Sequence, residues 1–160
     1  MPPLGPGSPF PSITLRDEEG RDAALPEPPA LYGFFKTTCP TSEFAWPYLD
    51  RIRECAEGGS LSVVGVSQDA PEDSARFAES LKIRIPTLYD PEPWRASEEL
   101  GLEIVPTLIL VGEDGRVRET VVGFQRDKME ELAVLASQRA GRPATALFAP
   151  GERVPAIKPG

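Results

Sequence analysis

Cys39 is the residue of this chain whose type and setting best suit covalent chemistry. It stands in Phe34-Phe35-Lys36-Thr37-Thr38-Cys39-Pro40-Thr41-Ser42, where an apolar run that reads as a buried strand gives way to a helix. The free N–H groups of a helix's first turn, together with the helix dipole, favour an anion at that point, and the thiolate is the nucleophilic form of cysteine. Lys36 adds positive charge nearby in sequence, and it and Thr37 are candidates to tune the ionisation of the sulfur. The competing reading is an inert cysteine in a loop, and the polar Thr37, Thr38 and Thr41 around it argue against that.

Composition removes most other chemistries. The chain of 160 residues contains no histidine, which excludes imidazole-based hydrolases and most transition-metal sites. Its two cysteines, without histidine, are too few for a structural zinc site, and neither a metal nor an organic cofactor is expected. The net charge is −8; no basic stripe is present, so nucleic acid is not an expected partner. No apolar run approaches the roughly 18 residues that span a membrane. Met1 to Phe10 lacks the charged and apolar regions of a secretory signal, so a cytoplasmic location is expected. Glu98 and Glu99, like Glu130 and Glu131, are adjacent on helices and do not face each other.

The elements that must position Cys39 follow from patterning. Ile13–Leu15 is a short strand candidate, and the uninterrupted Ala30–Phe35 is a central buried strand. A helix is expected over about Thr41–Glu57, with Phe44, Tyr48, Ile52 and Cys55 on its core side and Pro47 inside it. Leu61–Val66 is a second buried strand, and Asp69-Ala70-Pro71-Glu72 has the cap and early proline of a helix start. A short segment at Pro86–Tyr89 precedes a helix near Pro93–Leu100. Thr107–Val111 and Val117–Val122 flank an Asp-Gly turn as a hairpin, and a last helix covers about Arg126–Arg139. This order gives an α/β fold, a mixed central sheet with helices on both faces. Residues 1–140 are expected to form one domain with a Pro/Gly-rich arm at 1–10, and 141–160 a tail that drapes over it or frays.

The strand, Cys-Pro-Thr-Ser and a helix with Pro47 eight residues after Cys39 resemble the active-site region of thioredoxins. Glu103-Ile104-Val105-Pro106-Thr107-Leu108 resembles their second signature, the loop with a cis-proline. Leu61–Asp69, the helix with Phe77 and Pro86–Asp90 are similar to the extended branch of TlpA-like disulfide reductases and the peroxiredoxin-related AhpC/TSA group. The resemblance covers residues 8 to 139 and implies a thioredoxin-like fold with thiol–disulfide oxidoreductase activity. It implies Cys39 as the attacking thiol, and a substrate groove shaped by Thr38, Pro40, Val105 and a cis Pro106. The implied partners are a disulfide-containing protein or small molecule and a reducing thiol of thioredoxin or glutathione type.

One departure from that pattern matters most. Reductases of this kind carry Cys-x-x-Cys, whose second thiol resolves the mixed disulfide; here Ser42 holds the resolving position. Ser42 is then an engineered replacement of cysteine, a natural monothiol site released by an outside thiol, or part of a one-Cys peroxidase. Against the peroxidase, Tyr32 and Lys36 stand where the peroxiredoxin motif has Pro and Thr. Cys55 lies on the order of 20 Å along the helix from Cys39, too far for a disulfide, and reads as a core cysteine. A non-catalytic module holding an extended peptide in the Val105–Pro106 groove is the remaining alternative.

Overall fold

The computed structural model describes residues 4–160, so of the arm expected over 1–10, residues 1–3 lie outside the described residues. The elements are β1 (Ala30–Phe35), α1 (Pro40–Ala56), β2 (Ser62–Ser67), α2 (Pro71–Leu81), β3 (Thr87–Tyr89), α3 (Arg95–Glu99), β4 (Thr107–Val111), β5 (Val117–Val122), β6 (Phe124–Gln125), α4 (Arg126–Arg139) and β7 (Ile157–Lys158). Five strands form a mixed sheet in the order β3-β2-β1-β4-β5. β1 pairs in parallel with β2 and antiparallel with β4.

β1 is apolar throughout because both sheet faces are covered. Alternate side chains serve separate cores. Leu31 and Phe35 join Trp46, Leu49 and Ile52 of α1 and Met129 and Leu132 of α4. Tyr32 and Phe34 point the other way, with Val64, Val66, Leu100 and Ile109. At Gly33 a Cβ would lie 2.8 Å from Leu49 Cδ2 and 3.1 Å from Trp46 Cη2, so the missing side chain lets α1 settle close over β1.

Several expectations are corrected. Ile13–Leu15 is not a strand: Leu15 is fully buried, but the ladder contacts nearby are isolated bridges from Arg16 to Asp22 and Tyr89. Burial explains its apolar pattern without strand pairing. The third helix begins at Arg95 rather than Pro93 because Trp94 adopts a left-handed φ of 56°, which a right-handed helix cannot include. Asp69 does not cap α2; Ala70 occupies that position with no side-chain bond, and the Asp69 carboxylate is engaged elsewhere. α1 starts one residue early, with Pro40 in its first turn, where a missing N–H has no consequence.

The segment after α4 touches the domain at separate points. Leu147 is buried in the first core, and Phe148 meets Tyr48 edge-on at 4.9 Å. β7 then pairs antiparallel with β6, Phe124 opposite Lys158.

Candidate active site

Cys39 is the N-cap of α1, in extended conformation at φ −89° and ψ 118°. Its sulfur accepts a hydrogen bond from Ser42 N at 3.5 Å and donates one to Val105 O at 3.4 Å. The side chain is half-buried. The thiol therefore bridges the first turn of α1 and the loop before β4, where the Val105–Pro106 peptide bond is cis. That loop is braced by Thr107 Oγ1 donating to Ile104 O at 2.7 Å and by Gly123 N donating to Pro106 O at 2.8 Å.

The approach to Cys39 is held from the start of α2. Thr37 donates from both its backbone N (2.7 Å) and its Oγ1 (3.0 Å) to Asp69 Oδ2. Asp69 N donates to Ser67 Oγ at 3.0 Å, and Ser74 Oγ donates to the same oxygen at 2.6 Å. This chain ties the cysteine loop to the end of β2 and the first turn of α2. Thr37 is thus a bracing residue. Lys36 lies with its ammonium 4.7 Å from the centre of the Trp94 ring, a cation–π arrangement. Thr38 and Pro40 stand at the rim, both exposed.

Ser42 is fully buried, and its hydroxyl has no hydrogen-bond partner among the described residues. The position presents no acceptor or donor to an oxygen, a setting that suits a thiol or methyl group better than a hydroxyl. Cys55 lies near the far end of α1, half-buried against the first core, and both cysteines are free.

Beside Val105 a cavity of about 300 Å³ is lined by Lys36, Gln68, Trp94, Ser97, Glu103 and Ile104, among others. Trp94 Nε1 donates to Gln68 O at 3.0 Å, fixing the indole against this cavity. The sequence pattern does not single out Asp69 or Trp94 as part of the site. Asp69 is visible only as a helix cap ahead of Pro71, and nothing in the pattern marks Trp94.

Comparison with known proteins places the chain. The model of the AhpC/TSA family matches residues 6–120. The chain belongs to the AhpC/TSA family. It is 25% identical over 121 residues to the thiol-disulfide oxidoreductase ResA of Halalkalibacterium halodurans, a match spanning 75% of this chain and 64% of that protein. It is 27% identical over 130 residues to a Mycobacterium tuberculosis protein named "Putative peroxiredoxin Rv2521", covering 71% of this chain and 82% of the relative. Among solved structures, the thioredoxin domain of a thiol-disulfide oxidoreductase from Bacteroides vulgatus superposes with a TM-score of 0.69 at 22% identity, covering 84% of this chain and 97% of that domain. The fold is thioredoxin-like, as the strand order and the motifs imply.

Proposed function

We propose that this protein is a thiol–disulfide oxidoreductase working through Cys39 as a monothiol centre. The observation that carries the reading is the placement of the half-exposed sulfur between Ser42 N–H and the Val105 carbonyl. The likeness to ResA supports the same chemistry. The Cys39 thiolate attacks one sulfur of a disulfide; the new S–S bond joins Cys39 to that half, and the other half leaves as a thiolate that takes a proton from solvent. Ser42 has no sulfur with which to displace the bound half, so a second thiol from outside attacks the mixed disulfide and returns Cys39 to the thiolate. Val105 and Pro106 form the wall against which the substrate lies, with Thr38 and Pro40 at its rim. A reduced thiol pool, such as that of the cytoplasm, supplies the second step.

The M. tuberculosis relative favours one alternative, a peroxidase in which Cys39 is oxidised to a sulfenic acid. Tyr32 and Lys36 speak against it. Tyr32 is buried inside β1, with burial pushing its hydroxyl up to about 12, and Lys36 is turned to Trp94.

The test exposes the reduced protein separately to oxidised glutathione and to hydrogen peroxide and reads Cys39 by mass spectrometry. A glutathionyl adduct on Cys39, reversed by added glutathione and absent from Cys39→Ser, is expected. Sulfenic acid without an adduct would move the assignment to the peroxidase, and an unmodified Cys39 in both would leave the peptide-binding module.

A further inference from the structure

The segment Ala156–Gly160 runs along the substrate side of the site. Arg126 N donates to Ala156 O at 2.9 Å, β7 pairs with β6, and Thr41 Oγ1 donates to Pro159 O at 2.6 Å. Thr41 lies two residues after Cys39, so this last bond fastens the segment to the first turn of the cysteine helix itself. Lys158 sits with its ammonium 5.3 Å from the centre of the Phe44 ring on the same helix. Gly160 then lies against the cis-proline loop. A Cβ at Gly160 would collide with the Val105 carbonyl oxygen and the Ile104 side chain, and a Cβ at Gly123, whose φ is +71°, would fall 2.7 Å from Lys158 O. Glycine stands at both points where the segment and its neighbours come closest.

The Val105 carbonyl that receives the Cys39 thiol is therefore also the one that Gly160 covers. An extended polypeptide joined to Cys39 needs the backbone edge of this loop to pair along. A small disulfide needs only the sulfur and a few ångströms around it, and the lining of the cavity between Lys36, Trp94 and Val105 includes none of residues 156–160. The segment itself is lightly held, with Ile157, Pro159 and Gly160 all exposed.

We infer that residues 156–160 form a strap that sets substrate class, leaving Cys39 open to low-molecular-weight disulfides and closing the loop edge to extended protein segments. This inference rests on the oxidoreductase reading. The exchange it governs is the one above: Cys39 gains a bond to one sulfur of the disulfide as the other departs.

Two single-residue variants release the strap without touching the sulfur. Gly160→Val places a side chain where the Val105 carbonyl already is. Thr41→Val keeps the shape of the side chain and removes the donor to Pro159 O. Each is compared with the parent for the rate of mixed-disulfide formation at Cys39, with oxidised glutathione as the small probe and insulin as the protein probe. Thermal melts check that the fold is kept. The expected result is a rise of about fivefold to tenfold with insulin, the scale of one or two released hydrogen bonds, and a change under about twofold with glutathione disulfide. Equal changes with both probes, or no gain with insulin in either variant, overturn the strap. No adduct from either probe in any form overturns the oxidoreductase reading, and the strap with it.

Discussion

Replacing Ser42 with alanine should make this protein more stable. The Ser42 side chain has no exposed surface, and its hydroxyl makes no hydrogen bond to any of the described residues. A buried hydroxyl without a partner carries a desolvation penalty of about 1–3 kcal/mol. Alanine removes that penalty and leaves a void no larger than one oxygen, which at roughly 24 cal/mol per Å³ costs a few tenths of a kcal/mol. Alanine is also the better helix former in the first turns of α1, by a few tenths more. The net expectation is a gain of about 1–2 kcal/mol. For a chain of this size that raises the melting temperature by about 2–8 °C. Urea denaturation of parent and variant under reducing conditions should show a higher midpoint with an unchanged slope. A loss of about 1 kcal/mol or more would mean that the hydroxyl holds a partner in solution, and the account of the position as built for a group without hydrogen bonds would fall. Ser42→Cys carries the same logic into chemistry. The Cys39 sulfur already lies 3.5 Å from Ser42 N, which brings a thiol introduced at that residue next to it. The variant should therefore form a disulfide between Cys39 and the introduced thiol on mild oxidation, read as loss of both of those thiols while Cys55 stays alkylatable.

Asp69→Ala deprives Thr37 of the acceptor for its N–H and its hydroxyl; a loss of about 2–3 kcal/mol is expected, with Asp69→Asn recovering part of it through its amide oxygen. A variant within about 0.5 kcal/mol of the parent in urea would show that this brace does not hold the cysteine loop. Gly33→Ala forces a methyl against Leu49 and Trp46 and should cost about 1–3 kcal/mol, seen as a lower melting temperature; a neutral result would mean α1 shifts freely over β1. Glu152 gives a pH dependence. Burial raises its carboxyl, but the Tyr48 hydroxyl at 3.0 Å, the Ala149 backbone and Arg51 outweigh it and hold the group below its ordinary value. A depressed carboxylate contributes its stability above the unfolded value, about 4.3, and loses it as pH falls through the folded value. Glu152→Gln should therefore be less stable than the parent near neutral pH and level with it in acid below that range; a difference that persists unchanged in acid refutes a stabilising role for the Glu152 charge beside Tyr48 and Arg51.

Much of this fold was legible in sequence because apolar runs and turn residues report burial and chain reversal directly. β1, β4, β5 and α4 lie over the residues that their patterns marked. The same signal misled at Ile13–Leu15, where residues are buried without pairing, since hydrophobicity does not say what the backbone bonds to. It misled again at Asp69, whose place before Pro71 reads as a helix cap. The carboxylate instead serves Thr37, 32 positions away in the chain, and a contact of that separation leaves no periodic trace. The approach of Pro159 and Gly160 to the cysteine helix was equally invisible: Pro and Gly read as a tail because they favour no element, and only the close contacts at Val105 and Gly123 explain why glycine is needed there.

What brings the sulfur and the Val105 carbonyl together is strand register. β1 runs toward Cys39 and β4 runs away from Pro106, and the two pair antiparallel, with Phe34 opposite Thr107. Cys39 follows Phe34 by one short turn, closed by Cys39 N donating to Lys36 O at 3.2 Å, and Val105 precedes Thr107 by two residues. Both halves of the site therefore hang from the same end of one strand pair. A slip of one residue would turn Phe34 from the second core and Leu108 from the first, each to the opposite face. The two cores thus enforce the register, and the register sets the thiol against the loop. This is how the burial of Phe34, Phe35, Leu108 and Ile109, side chains that perform no chemistry, fixes the geometry of the one that does.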